Sequence, residues 1–170
     1  MNGAIFYLTR YGSTAEYAGW IAEDSGLPAF DLDESPPPLS GYDFIVLVTP
    51  IYYYKPLILP WLAVHLAEMR DKPVVFVTVS GAPAGEKLDG WLRKYLPPEF
   101  HARMHHVALR GRQDPRDLGW FPRLMLQIAA FFNPDKQAAK EEAEGFDFVD
   151  RTSIAPALAL IEDLKLRKAA

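Results

Sequence analysis

Two runs of this chain, Phe44-Ile45-Val46-Leu47-Val48 and Val74-Val75-Phe76-Val77-Thr78-Val79, are apolar along almost their whole length. A strand with one face in water alternates apolar and polar residues. A run without that alternation belongs to a strand covered on both faces, as strands of a parallel sheet are. The chain must therefore supply helices for two sides of a sheet, and helical stretches do stand between its strands.

Ala4-Ile5-Phe6-Tyr7-Leu8 is a short first strand, stopping at a polar loop, Thr9 to Thr14. A helix is expected from Ser13 to Ser25, with Ala18, Ile21, Ala22 and Ser25 on one small-residue face and Gly26 and Pro28 to end it. Ala29-Phe30-Asp31-Leu32 reads as an edge strand, followed by the loop Ser35-Pro36-Pro37-Pro38. Pro60 to Arg70 has helical spacing through Leu62, Leu66 and Met69. Glu86 to Leu96 is a third helix, Met104 to Leu109 a fifth strand, and Ile154 to Leu166 a closing amphipathic helix. Alternating strands and helices predict an α/β fold with a five-stranded parallel sheet in the order 2-1-3-4-5. A length of 170 residues suits one domain, 1–170, with the stretch 110–145 inserted between strand five and the last helix.

Composition excludes several classes of function. There is no cysteine, which removes disulfides, thiolate metal sites, iron–sulfur clusters and thiol catalysis. A net charge of −4 argues against a nucleic-acid binder. No apolar run approaches the ~20 residues of a transmembrane helix, and Met1-Asn2-Gly3-Ala4 lacks the basic start of a signal peptide. The expectation is a cytoplasmic protein. His105 and His106 are adjacent, so on a strand they face opposite ways, and no histidine here is assigned to a metal. No Gly-x-Ser-x-Gly elbow occurs, so no catalytic nucleophile is assigned.

In a sheet of this order, ligands bind beyond the carboxyl ends of the strands where the order reverses. The first loop there, Thr9-Arg10-Tyr11-Gly12-Ser13-Thr14, combines hydroxyls, a glycine and a helix start. Free N–H groups and the helix dipole attract a phosphate without a lysine. Ser13-Thr14-Ala15-Glu16 also fits a simple capping box. A receiver domain has the same topology but needs acidic residues where this chain has Thr9 and Thr49-Pro50. The third-strand loop, Thr49 to Pro56, holds three tyrosines suited to stacking on a planar ring. Ser80-Gly81-Ala82-Pro83-Ala84-Gly85 is small and without an aromatic, which predicts one uncovered face on such a ring.

Thr9-x-x-Gly12-x-Thr14, followed by Thr49-Pro50-Ile51-Tyr52-Tyr53, resembles the FMN-binding pattern of the flavodoxin superfamily. The resemblance implies a flavodoxin-like three-layer sandwich with FMN as cofactor. Thr9, Arg10, Tyr11, Gly12, Ser13 and Thr14 would hold its phosphate, and Thr49, Pro50, Ile51, Tyr52 and Tyr53 would line the isoalloxazine. Ser80, Gly81 and Ala82 would meet the pyrimidine edge. Position 11 departs from the pattern, being tyrosine where many flavodoxins have a third hydroxyl residue.

The insertion carries Arg110, Arg112, Arg116 and Arg123 against Asp114 and Asp117, a basic patch on an acidic chain. Phe121 to Phe132 reads as a helix so apolar that it must be buried, paired or laid on lipid. Together with Thr9-Arg10-x-Gly12-x-Thr14 and Ala108-Leu109-Arg110, the apolar stretch around Trp120 and Arg123 resembles the menaquinone-dependent protoporphyrinogen oxidases. That resemblance implies an FMN enzyme linked to quinone, with a porphyrinogen or quinone as small-molecule partner. Arg110, Arg112, Trp120 and Arg123 are then the substrate or membrane candidates, residues 118–132 touch the inner face of the membrane, and self-association stays open. The rival readings are an electron carrier, an FMN quinone reductase, and a binding module of the same fold without FMN.

Overall fold

A computed structural model describes residues 1–113 and 145–167 of the chain. Strands β1 (Gly3–Tyr7), β2 (Ala29–Asp31), β3 (Phe44–Tyr52), β5 (Val74–Ser80) and β6 (His105–Arg110) pair in parallel, in the spatial order β2-β1-β3-β5-β6. Counting only these five in chain order, this is the expected 2-1-3-4-5. The register sets Ile5 beside Val46, Leu47 beside Phe76 and Val77 beside Val107.

Because side chains alternate across a strand, the apolar runs divide between two cores. Ile5, Val46, Val48, Val75, Val77 and Leu109 face α1 (Ser13–Ser25) and α5 (Ala155–Leu166), meeting Tyr17, Ile21, Ala157 and Ile161. Phe6, Ile45, Leu47 and Phe76 face the opposite way, onto α2 (Leu59–His65), α3 (Glu86–Tyr95) and α4 (Pro98–His101). There they meet Leu62, Leu92 and Phe100. The result is the three-layer α/β sandwich that the unbroken apolar runs required.

Two elements differ from the sequence expectation. The helix expected over Pro60 to Arg70 ends at His65. Beyond it the chain turns so that Met69 drops into the core, and Arg103 donates to the carbonyls of Met69, Arg70 and Lys72 at 2.6, 3.0 and 3.2 Å. A cation from a distant segment thus holds the turns that follow the helix by their carbonyls. The third strand also runs past Pro50 to Tyr52 and returns as β4 (Lys55–Pro56), an antiparallel hairpin rather than a loop.

A small ribbon extends the far end of the sheet: β7 (Arg112–Gln113) pairs antiparallel with β8 (Phe146–Asp147). β7 lies near the start of the expected insertion 110–145, and β8 follows directly after its end. The helix expected over Phe121 to Phe132, with Trp120 and Arg123, lies outside the described residues. So does the span 118–132 as a whole. Among the described residues, no helix is long and apolar enough to cross a membrane, and no cluster of His, Asp and Glu is spaced for a metal.

Candidate functional site

Parallel pairing brings the carboxyl ends of β1, β3, β5 and β6 to one edge. Tyr7 lies beside Val48, Thr49 beside Thr78 and Ser80 beside Arg110. The loops that follow these strands therefore share one mouth.

The first loop opens onto the N-terminus of α1. Gly12 is the residue before the helix, with φ of +88°, and an ideal Cβ built on it would meet nothing within 4 Å. The Thr9 hydroxyl accepts the Gly12 N–H at 3.2 Å, and the first helical bond runs from Glu16 N–H to Gly12 O at 3.0 Å. No side chain caps the helix, so the N–H groups of Ser13, Thr14 and Ala15 have no partner among the described residues. The capping box does not form: Gly12, not Ser13, is the residue before the helix, and the Glu16 carboxylate pairs with Arg112 at 2.9 Å. Among the described residues, what remains is a set of uncommitted donors with the positive end of a helix dipole behind them and no carboxylate aimed at them. Such a set suits a phosphate.

The third-strand hairpin supplies the aromatic part. The Arg10 guanidinium lies 5.2 Å from the centre of the Tyr52 ring, and the Tyr11 ring stands 6.2 Å from it. Tyr53 meets Tyr52 edge-on at 4.4 Å. Burial holds the Tyr11 phenol above its ordinary pKa, so it stays protonated and able to donate. The residue that breaks the hydroxyl pattern at position 11 thus joins the tyrosine cluster. Tyr53 and Tyr54 form the two-residue turn, with φ of +47° and +66°, and both are exposed. Tyr54 reaches Trp91 of α3 at 5.1 Å.

Pro50 and Ile51 are half-buried at the base of the hairpin, and Ile51 packs on the second core. Thr49 stands behind the mouth: it is fully buried and its hydroxyl accepts the Ile58 N–H at 3.2 Å. Its side chain serves the fold. In the loop after β5, the Ser80 hydroxyl donates to Ala82 O at 2.8 Å, and Gly111 N–H donates to Ser80 O at 2.9 Å.

Arg110 reaches the same loop, donating to Gly81 O at 2.6 Å while its guanidinium stacks 3.6 Å from the centre of the Phe148 ring. Its Nε is buried with no partner among the described residues. Arg112 is committed to Glu16 and to Asp147, the latter at 3.3 Å. Phe146 touches Gly81. Neither it nor Phe148 stood out in the sequence, where the only signal was their alternation about Asp147.

The model of the flavodoxin domain family matches residues 4–139, from β1 through most of the chain. The chain belongs to that family. No curated protein matches it. Among solved structures, this flavodoxin domain is similar to the Trp repressor binding protein from Bacillus subtilis, at 15% identity and a TM-score of 0.49. That match covers 99% of this chain and 100% of the other. A flavoprotein from Lactobacillus acidophilus NCFM, solved in complex with FMN, is 12% identical over 64% of this chain and 91% of its own, with a TM-score of 0.45. A Fusobacterium nucleatum flavodoxin bound to flavin mononucleotide is 20% identical over 66% and 71%, with a TM-score of 0.44.

Proposed function

We propose that this flavodoxin domain binds FMN and acts as an FMN-dependent oxidoreductase. The observation that carries the reading is the uncapped start of α1, whose free N–H groups open onto the mouth that Tyr11, Tyr52 and Tyr53 line. The residues suit the group: donors without a competing carboxylate for the phosphate, and flat apolar rings for the isoalloxazine. Thr9, Arg10, Gly12, Ser13 and Thr14 take the phosphate; Pro50, Ile51, Tyr52 and Tyr53 flank the ring; Ser80, Gly81 and Ala82 meet its pyrimidine edge.

Bound FMN would supply the electron or hydride transfer, and the chain supplies binding, orientation and electrostatics. The helix start fixes the phosphate end. The tyrosines exclude water from one side of the ring, and the backbone of Ser80 to Ala82, held by the Ser80 hydroxyl on Ala82 O, is offered to its pyrimidine edge. No side chain in the described site is needed as a base.

The finer reading is a quinone-linked protoporphyrinogen dehydrogenase. Its support is the resemblance carried by Thr9-Arg10-x-Gly12-x-Thr14 and Ala108-Leu109-Arg110, together with the position of Arg110 at the mouth. In this reading arginines pair with the carboxylates of a porphyrinogen, which is oxidised in successive two-electron, two-proton steps, each reducing one quinone that leaves as the quinol. Trp120, Arg123 and peripheral membrane attachment through 118–132 belong to the same proposal.

The test is a visible absorption spectrum of the purified protein, before and after incubation with FMN and desalting. Retained flavin bands support the cofactor, and a protein that stays colourless removes the redox reading. With flavin retained, porphyrinogen is supplied with a menaquinone analogue. Appearance of porphyrin supports the dehydrogenase; a loaded protein that leaves porphyrinogen untouched leaves an electron carrier.

A further inference from the structure

We propose that Phe146, delivered by β8 from beyond the insertion, is the second aromatic wall of the flavin site, and that Tyr17 positions it. The proposal rests on FMN binding at this mouth. Among the described residues, a planar ring seated by Tyr52 and Tyr53 has its aromatic surface on the β3 side, and the loop from Ser80 to Gly85 contains no aromatic residue. The loop sequence alone predicts that the other face stays uncovered, and Phe146 is the described residue that would change this. The ribbon brings an aromatic, Phe146, from a different part of the sequence to the Gly81 loop at the same mouth.

Phe146 stands directly on the loop in question. A Cβ placed on Gly81 would lie 2.5 Å from its ring tip Cζ and 3.1 and 3.3 Å from the two Cε atoms. Only glycine admits the ring that close. Phe146 therefore borders the backbone assigned to the pyrimidine edge of the cofactor.

Its position is set several times over. Phe146 pairs with Gln113 across the ribbon and stacks on Phe148 at 5.1 Å with 21° between the rings. Phe148 N–H donates to Gly111 O at 3.2 Å, and its ring carries the Arg110 guanidinium that also holds Gly81 O. Beneath this stack lies the hydroxyl of Tyr17, a fully buried residue of α1. It donates to Arg110 O at 2.8 Å and accepts the Asp150 N–H at 3.0 Å. One hydroxyl thus ties the strand entering the insertion to the segment leaving it, on the helix whose first turn holds the phosphate.

The proposal is tested by titrating wild type, Phe146→Ala, Phe146→Leu, Phe146→Tyr and Tyr17→Phe with FMN, following flavin fluorescence and the visible circular dichroism of the bound ring. Phe146→Ala is expected to bind FMN about tenfold more weakly, with an altered flavin signal, since an aromatic partner is lost. Phe146→Tyr stays within about twofold of wild type. Phe146→Leu keeps the bulk without the π-face, so it reports on stacking even where the alanine variant unfolds. Tyr17→Phe shifts the flavin signal in the same direction, and the double variant Tyr17→Phe/Phe146→Ala is no weaker than Phe146→Ala alone, because both act through one ring.

Unchanged affinity and spectrum in both Phe146→Ala and Phe146→Leu overturn the proposal. So does tighter binding, which would mean that Phe146 occupies the place of the flavin ring. A wild-type protein that takes up no FMN overturns the cofactor reading itself, and this inference with it.

Discussion

At the scale of single residues, the turn at Tyr53 and Tyr54 is the least expected feature of the chain. A two-residue hairpin turn with positive φ at both positions is ordinarily made by Asn-Gly or Asp-Gly, whose backbones tolerate it. Tyrosines held there carry strain of about 1–3 kcal/mol each. Such strain persists where a side chain is wanted for another purpose, and here both rings stand at the mouth of the candidate site. The double variant Tyr53→Asn/Tyr54→Gly should therefore be more stable without ligand, by about 1 kcal/mol in urea unfolding, and should bind FMN less well. A variant no more stable than wild type would remove the strain argument. Gly12 and Gly3 offer a cleaner pair. Gly12→Ala has free space but a φ of +88°. It should lose about 1 kcal/mol, or ~2–4 °C in Tm, and bind FMN more weakly because the first turn of α1 must shift. Gly3→Ala drives a Cβ to 2.2 Å from the buried Phe44 ring, far from the mouth. It should cost about 1–3 kcal/mol and leave FMN affinity unchanged.

At the scale of elements, β6 shows what the sequence could and could not tell. His106 points into the layer between sheet and helices, its Nε2 2.8 Å from the hydroxyl of the fully buried Thr78. Burial pushes its pKa below 6.5 and His101 adds to the shift, while Asp89 of α3 opposes it. The unfolded chain then takes up this proton first as pH falls. The stability associated with neutral His106 is fully present above about pH 6.5, declines as pH drops through that value, and is lost below the folded pKa. Urea midpoints measured from pH 5 to pH 8 should fall more steeply toward acid in wild type than in His106→Gln, which keeps a hydrogen-bonding group without titrating. Parallel curves would show that His106 does not titrate between the two states. The parallel order and both cores were legible because runs 44–48 and 74–79 carry their burial in their own composition. The hairpin over 49–56 was not, since Pro50 and a Tyr-Tyr turn are neither strand nor turn signals. Nor was the early end of α2, which depends on Arg103 from another element. The loops at 9–14 and 80–85 were readable from local chemistry, whereas Phe146 reaches Gly81 only through a ribbon whose strands are far apart in sequence.

At the scale of the whole molecule, the candidate site has no existence outside the folded sheet. Its donors come from α1, its tyrosines from the β3 hairpin and its small loop from β5, which the parallel register brings to one edge, and Phe146 comes from β8 through the antiparallel ribbon. A ligand of such a site binds the native state and not the unfolded chain, so it stabilises by mass action, by about 2.7 kcal/mol at a hundredfold excess over Kd. For a domain of this size that is a rise in Tm of roughly 5–10 °C. Riboflavin separates the two halves of the site, because it offers the ring walls the same isoalloxazine but gives the start of α1 no phosphate. If the free N–H groups of Ser13, Thr14 and Ala15 serve as the phosphate cradle, FMN should raise Tm well above the value reached with riboflavin at equal concentration. The gap should narrow as ionic strength rises, since part of the attraction is electrostatic. Equal shifts from the two ligands would mean that the rings alone hold the cofactor and that the open end of α1 has another occupant. A shift from neither would mean that these loops meet at one edge for some purpose other than flavin.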